Sequence, residues 1–158
     1  MKCFLIKFPV LFWIALSCQS TDSERVQSLS QEYTIAWNSQ IPSQVADFYA
    51  DDAILVINGD TVRGRLSVVN FAKSFMRNFP DMNLTMDSLV YENPYYKYHW
   101  SFTGTYAGLY GNGNKVIFQG VEKWTLNQEG KIMVSVGTYD EDDFRKQLNM
   151  KNKDGAKE

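Results

Sequence analysis

Residues 116–140 read VIFQGVEKWTLNQEGKIMVSVGTYD, and their periodicity decides the fold. Val116, Phe118, Gly120, Glu122, Trp124 and Leu126 fall on one side of an extended chain, because successive side chains of a strand point to opposite faces. All but Glu122 are apolar or glycine, so this side faces a core. The turn residues NQEG at 127–130 then send the chain into a second strand from Lys131 to Tyr139. Upstream the same alternation recurs. Tyr96, Tyr98, Trp100, Phe102 and Tyr106 alternate with Lys97, His99, Ser101 and Thr103, and before them Met82, Leu84 and Met86, with Leu89 or Val90, form one more strand. NPYY and YGNGN supply the turns between these segments.

Ahead of Pro80 the period is helical. Val26, Leu29, Tyr33, Ala36 and Trp37 recur at three- and four-residue spacing, as an amphipathic helix requires. A second short helix is expected after Pro42, with Val45, Phe48 and Tyr49 on one face, started by Pro42 through its preset backbone angle or by Ser43 as a cap. AILVING at 53–59 reads as a buried strand closed by an Asn58-Gly59 hairpin turn and returning through Thr61, Val62 and Arg63. A third helix over 65–78 is expected to bury Leu66, Val69, Phe71, Phe75 and Met76, and Pro80 prevents its continuation. Helices first and long antiparallel strands after them define an α+β domain with the helices on one face of a curved sheet.

The chain of 158 residues, 44% apolar and 15% aromatic, is long enough for one domain with a substantial core. Its net charge of −2 and scattered basic residues give no electrostatic footprint for nucleic acid. The N-terminus, MKCFLIKFPVLFWIALSCQS, has a short positive region and an apolar run from Phe4 to Leu16. Interrupted by Lys7 and Pro9, the run is shorter than the ~20 residues of a spanning helix and has the form of an export signal. Ala15-Leu16-Ser17-Cys18 resembles the cleavage box of bacterial lipoproteins, in which the cysteine becomes the lipidated first residue. Residues 1–17 are accordingly expected to be a signal peptide, 18–24 a polar tether, 25–146 the domain and 147–158 a solvated tail. Lipid on Cys18 would hold the domain at a membrane, placing it in the bacterial cell envelope. With only Cys3 and Cys18 in the chain, no disulfide is then available, and a single histidine, His99, argues against a protein-built zinc site.

WNSQIPSQVADFYADDAILVING at 37–59, HWSFTGTYAG at 99–108 and the opening stretch together resemble the SnoaL-like polyketide cyclases of the NTF2-like superfamily. The resemblance spans about Val26 to Phe144. It implies a cone, a strongly curved mixed β-sheet wrapped around three N-terminal helices, with a cavity open at one end and a homodimer formed through the outer sheet face. In the cyclase pattern the last strand carries an aspartate that serves as acid and base inside the cone. Starting that pattern at Gly130-Lys131-Ile132 puts Gly137 at this aspartate, and glycine transfers no proton. Asp140 lies three residues on and is expected at the rim, with Glu141, Asp142 and Asp143 as a solvated cluster.

Glu122 is then the candidate catalytic carboxylate. A carboxylate among hydrophobic residues has its charged form disfavoured, which brings its proton affinity toward the range where acid–base work is efficient. The competing role is structural, with the charge satisfied by a basic neighbour or a tyrosine. Trp37, Tyr49, Tyr106, Trp124, Ser135 and Tyr139 are the expected pocket residues, the aromatics giving flat apolar walls with single hydrogen-bonding tips. His99 is out of phase with Trp100 and belongs on the outer face. Two functions fit: a module that binds a small hydrophobic molecule without the usual cyclase acid, which the glycine at 137 favours, or an isomerase-, cyclase- or dehydratase-type enzyme using Glu122. Neither is expected to need a metal or cofactor.

Overall fold

The computed structural model describes residues 22–108 and 113–148. Helix α1 (Asp22–Asn38) leads into a short α2 (Pro42–Ala46), followed by a hairpin of β1 (Tyr49–Ile57) and β2 (Asp60–Arg63) and then α3 (Arg65–Asn78). Strands β3 (Asn83–Glu92), β4 (Tyr95–Thr105), β5 (Lys115–Leu126) and β6 (Ile132–Tyr139) follow, and α4 (Glu141–Gln147) closes the order. The six strands form one mixed sheet in the order β2-β1-β6-β5-β4-β3, in which only β1 and β6 run parallel. This is the α+β architecture expected from the sequence.

Local chemistry sets the boundaries. Pro42 occupies the first turn of α2 and no side chain caps it, so the preset proline angle starts the helix. Asn58 and Gly59 both have positive φ, 45° and 95°, as the tight hairpin turn between β1 and β2 demands. α3 stops at Asn78, just before Pro80. In β3 the register shifts between Met86 and Ser88, leaving Asp87 as an inserted residue. That bulge decides between Leu89 and Val90: Leu89 pairs with the fully buried Tyr98, whereas Val90 is exposed.

Four expectations need correction. Tyr49 opens β1 instead of lying on the second helix, and its side chain is fully buried. Leu66 is 76% exposed; the inward stripe of α3 is Val68, Ala72 and Met76, one position out of phase with the residue chosen. Asp22 to Glu24, expected in the tether, are already helical, and residues 1–21, Cys18 among them, lie outside the described residues. The fourth is α4, an unforeseen helix built from the acid cluster itself. Asp140 accepts a hydrogen bond from the Asp143 backbone N–H at 2.9 Å, Glu141, Asp142 and Asp143 fill the first turn, and Arg145 and Lys146 the last, each sign facing the helix end it stabilises. Phe144 lies edge-on to Phe118, with centroids 5.1 Å apart, and Leu148 is buried, so the packed domain runs two residues past the expected boundary.

Where strands lose a neighbour, side-chain amides replace it. Asn38 pairs with both backbone groups of Leu84 (2.7 and 2.8 Å), Asn58 with those of Tyr139 (3.1 and 3.2 Å) and Gln147 with those of Ile117 (2.8 Å each). Each amide presents one donor and one acceptor, as an adjacent strand would, so the freed backbone groups stay satisfied. The core lies between the sheet's concave face and α1 to α3. At its centre Tyr98 stacks on Trp124 (4.7 Å, 15°) while Tyr33 from α1 meets Trp124 edge-on (5.0 Å, 80°).

Because Asp140 alone caps α4 through its side chain, Asp140→Ala is expected to destabilise the domain by about 1 kcal/mol, and Asp140→Asn by much less. Urea denaturation of the three proteins checks this, and equal midpoints would deny the cap any contribution.

Candidate functional site

β5 places Gly120, Glu122 and Trp124 in succession on the concave face. Register then fixes the neighbours of Glu122: Tyr98 lies across on β4 and Gly137 across on β6, while Ser135 pairs with Trp124. The Glu122 side chain is 7% exposed. Three donors converge on a single oxygen, Oε2: Ser135 Oγ at 2.8 Å, Trp124 Nε1 at 2.9 Å and the Tyr33 hydroxyl at 3.2 Å. The Tyr33 and Tyr49 hydroxyls are 2.8 Å apart. Since Tyr33 spends its proton on Glu122, Tyr49 donates to Tyr33, giving a chain Tyr49 to Tyr33 to Glu122. Among the described residues no such donor reaches Oε1.

The electrostatics follow from this enclosure. Burial raises the pKa of Glu122 above its ordinary 4.5, and the bonds from Trp124, Ser135 and Tyr33 pull it back only in part. Desolvating a carboxylate costs several kcal/mol, and hydrogen bonds to a charged group each return ~1.5–3 kcal/mol, so the three donors offset part of the burial cost and the shift stays upward. The ion pairs among the described residues, Arg65 with Asp51, Lys97 with Glu92 and Arg145 with Glu141, are all elsewhere. Tyr33 and Tyr49 are pushed upward too, first by burial and then by the charge of Glu122, which keeps them protonated as donors.

Glu122 also lines a cavity of about 60 Å³ whose walls are Trp37, Phe71, Phe75, Trp100, Phe102, Phe118 and Tyr139, with Ile57, Met82, Leu84 and Gly137 completing it. Of the expected pocket residues, Trp37 and Tyr139 are in this wall. Trp124 and Ser135 stand behind the carboxyl as its donors, and Tyr49 is one hydrogen bond further back. Tyr106 lines a different cavity, with Phe79, Phe144 and Arg145. Tyr33 was legible only as a core position of the first helix; its hydroxyl role has no sequence signal, because it depends on how α1 lies over β5. Trp100, Phe71 and Phe75 likewise carry only the sequence signal of inward-facing positions.

Gly137 faces Glu122 across the ladder. A Cβ there would come within 2.7 Å of Ile57 Cδ1 and 3.4 Å of Glu122 Cγ, so Ile57 fills the room a side chain would need. The carboxyl stands instead directly across the ladder, at Glu122.

The family model of SnoaL-like polyketide cyclases matches residues 27–148, and the chain belongs to that family. Among solved structures, TsrD from Streptomyces laurentii is similar over 82% of this chain and 98% of its own, at 19% identity and a TM-score of 0.71. A protein of ketosteroid isomerase-like fold from Catenulispora acidiphila is similar over 77% and 92% (14% identity, TM-score 0.68). An NTF2-like protein from an Exiguobacterium species matches over 70% and 96% (17%, 0.62). At such identities these likenesses establish the NTF2-like fold. No curated protein matches the chain.

The raised Glu122 carboxyl has a thermodynamic consequence with a definite sign. Above 4.5 the unfolded chain releases a proton that the native state retains, so stability is complete below 4.5 and is lost as pH rises through the folded value. The loss proceeds at up to about 1.4 kcal/mol per pH unit. Glu122→Gln removes this dependence, so the unfolding free energy of wild type minus variant is expected to fall with pH across that window in urea titrations. Parallel curves would show that the carboxyl is not held in its neutral form.

Proposed function

We propose that this domain binds a small, largely hydrophobic molecule in the cavity beside Glu122 and that Glu122 moves a proton next to a carbonyl group of it. One observation carries the reading. A buried carboxyl is fixed through Oε2 by three neutral donors and lines an apolar cavity, while among the described residues no cation pairs with it and no donor reaches Oε1. An acid or base works best held still and dry; Glu122 is fixed by three donors and buried, and burial moves its proton affinity upward. The cavity is far below the ~300–1,000 Å³ of pockets that enclose drug-sized ligands, which favours a small molecule, or the reacting end of one, over a polycyclic substrate. A second reading, ligand capture without chemistry, draws support from Gly137, which leaves the last strand without the acid of the cyclase pattern.

Exchange of carbonyl-adjacent protons with deuterium oxide, followed by proton NMR over a panel of small cyclic ketones, separates the two. Wild type is expected to accelerate exchange of at least one ketone, and Glu122→Gln to lose at least a hundredfold of that acceleration while remaining folded. Ketone binding that survives in both proteins without exchange would sink proton transfer and leave ligand capture.

We also propose export and lipidation at Cys18, with dimerisation through the convex sheet face, where Ile117 and Val136 are exposed. The signal-like N-terminus and the polar segment after Cys18 support the first, and the apolar exposure supports the second. The full chain expressed in bacteria is expected in the membrane fraction and Cys18→Ser in the soluble one, where sedimentation should give a dimer that Ile117→Asp dissociates. Soluble wild type, or a Cys18→Ser monomer, would reject the corresponding part.

A further inference from the structure

Among the described residues one buried side-chain nitrogen or oxygen lacks any hydrogen-bond partner, and it is Nε1 of Trp100. Trp100 is 8% exposed and lines the same cavity as Glu122. Leaving a buried donor unsatisfied costs ~1–3 kcal/mol, and buried polar groups are otherwise paired almost without exception. The residue that carries this deficit belongs to the lining of an apolar cavity, which Glu122 and Tyr139 also line.

We infer that the Trp100 indole N–H is the donor that receives the ligand's oxygen, so that the site selects molecules carrying a carbonyl acceptor. This assignment deepens the proton-transfer reading above and rests on the same cavity. Three arrangements support it. First, the tyrosine hydroxyls nearest Glu122 are already engaged: Tyr33 donates to Oε2, Tyr49 to Tyr33, and the Tyr98 hydroxyl is 2.7 Å from Thr34 Oγ1. Secondly, the indole is held in place. Gly120 lies directly across the ladder from Trp100, and a Cβ on it would stand 2.2 Å from Cζ2 and 2.7 Å from Cε2, the carbon bonded to Nε1. Phe118 closes against the ring edge-on at 5.6 Å. The glycine therefore lets the indole lie against β5, at a place no larger residue would leave open. Thirdly, Trp100 pairs with Gly120 and Glu122 with Tyr98, so donor and carboxyl are diagonal neighbours on one face.

The chemistry balances with these two groups. Oε1 of Glu122 takes the proton from the carbon beside the carbonyl, the C–H electron pair moves into the carbon–oxygen framework, and the charge collects on the oxygen to which Trp100 donates. Return of the proton from Glu122 to that framework completes the cycle. A donor aimed at developing charge in a site with little water is worth far more than the same donor in solvent.

The test uses cyclopentanone and its near-isostere methylenecyclopentane, titrated into the full chain while the indole N–H signals are followed by nitrogen-15 NMR, with Trp100 assigned from Trp100→Phe. The ketone is expected to bind about tenfold more tightly than the hydrocarbon and to move the Trp100 N–H signal downfield. Trp100→Phe keeps a ring in the wall and is expected to bring the two affinities together, with the remaining indole signals unmoved. Equal binding of the two probes to wild type, binding of neither, or a ketone preference that survives Trp100→Phe would overturn the inference. A ketone preference that depends on Trp100 but comes without deuterium exchange would sustain it and remove proton transfer alone.

Discussion

The structure depends on one constraint: a carboxyl group on the inward face of a strand must be accommodated with no counter-ion among the described residues. Glu122 is held by Ser135, Trp124 and Tyr33, contributed by the neighbouring strand, its own strand and the first helix. Satisfying one oxygen therefore ties α1, β5 and β6 together at the domain's centre. Around it the Tyr98–Trp124 stack and Tyr33 remove water, and burying an aromatic of this size contributes on the order of 5 kcal/mol, enough to offset the desolvation of one acid. The donors all approach from one side, so the carboxyl is anchored without being sealed off from the cavity.

Small residues give the cavity its shape as much as aromatic ones do. Gly120 makes room for Trp100, and Gly137 makes room for Ile57 beside Glu122. No carboxyl stands on β6 at Gly137, and the buried carboxyl of this face lies directly across the ladder on β5, at Glu122, where it is held by donors from β5, β6 and α1.

The sheet margins obey a second constraint, that backbone groups freed where a strand loses its neighbour find other partners. Asn38, Asn58 and Gln147 each serve as a one-residue strand, at Leu84, Tyr139 and Ile117. Gln147 does so from α4, whose acidic start and basic end suit a helix that must form in only seven residues. What reads in the sequence as an acid cluster at a strand end is the beginning of a helix that covers the end of β5.

The sequence by itself determined the elements as far as Tyr139. Period-two alternation from Met82 to Tyr139, helical spacing from Val26 to Trp37, and the stops at Pro42, Asn58-Gly59 and Pro80 are local properties, because each follows from backbone geometry within a few residues. They also singled out Glu122, since a lone acid in an apolar stripe breaks the pattern. The errors arose where a residue's surroundings outweighed its type: Leu66 lies outward because α3 is rotated to bury Val68, Ala72 and Met76, and Tyr49 belongs to β1 because it pairs with Ile132. Only the tertiary structure decided that three donors meet on Oε2, that Gly137 faces Glu122 and that the Trp100 N–H finds no partner among the described residues. These are contacts among segments as many as 89 residues apart, set by strand register and helix placement, and neither has a signature in local sequence.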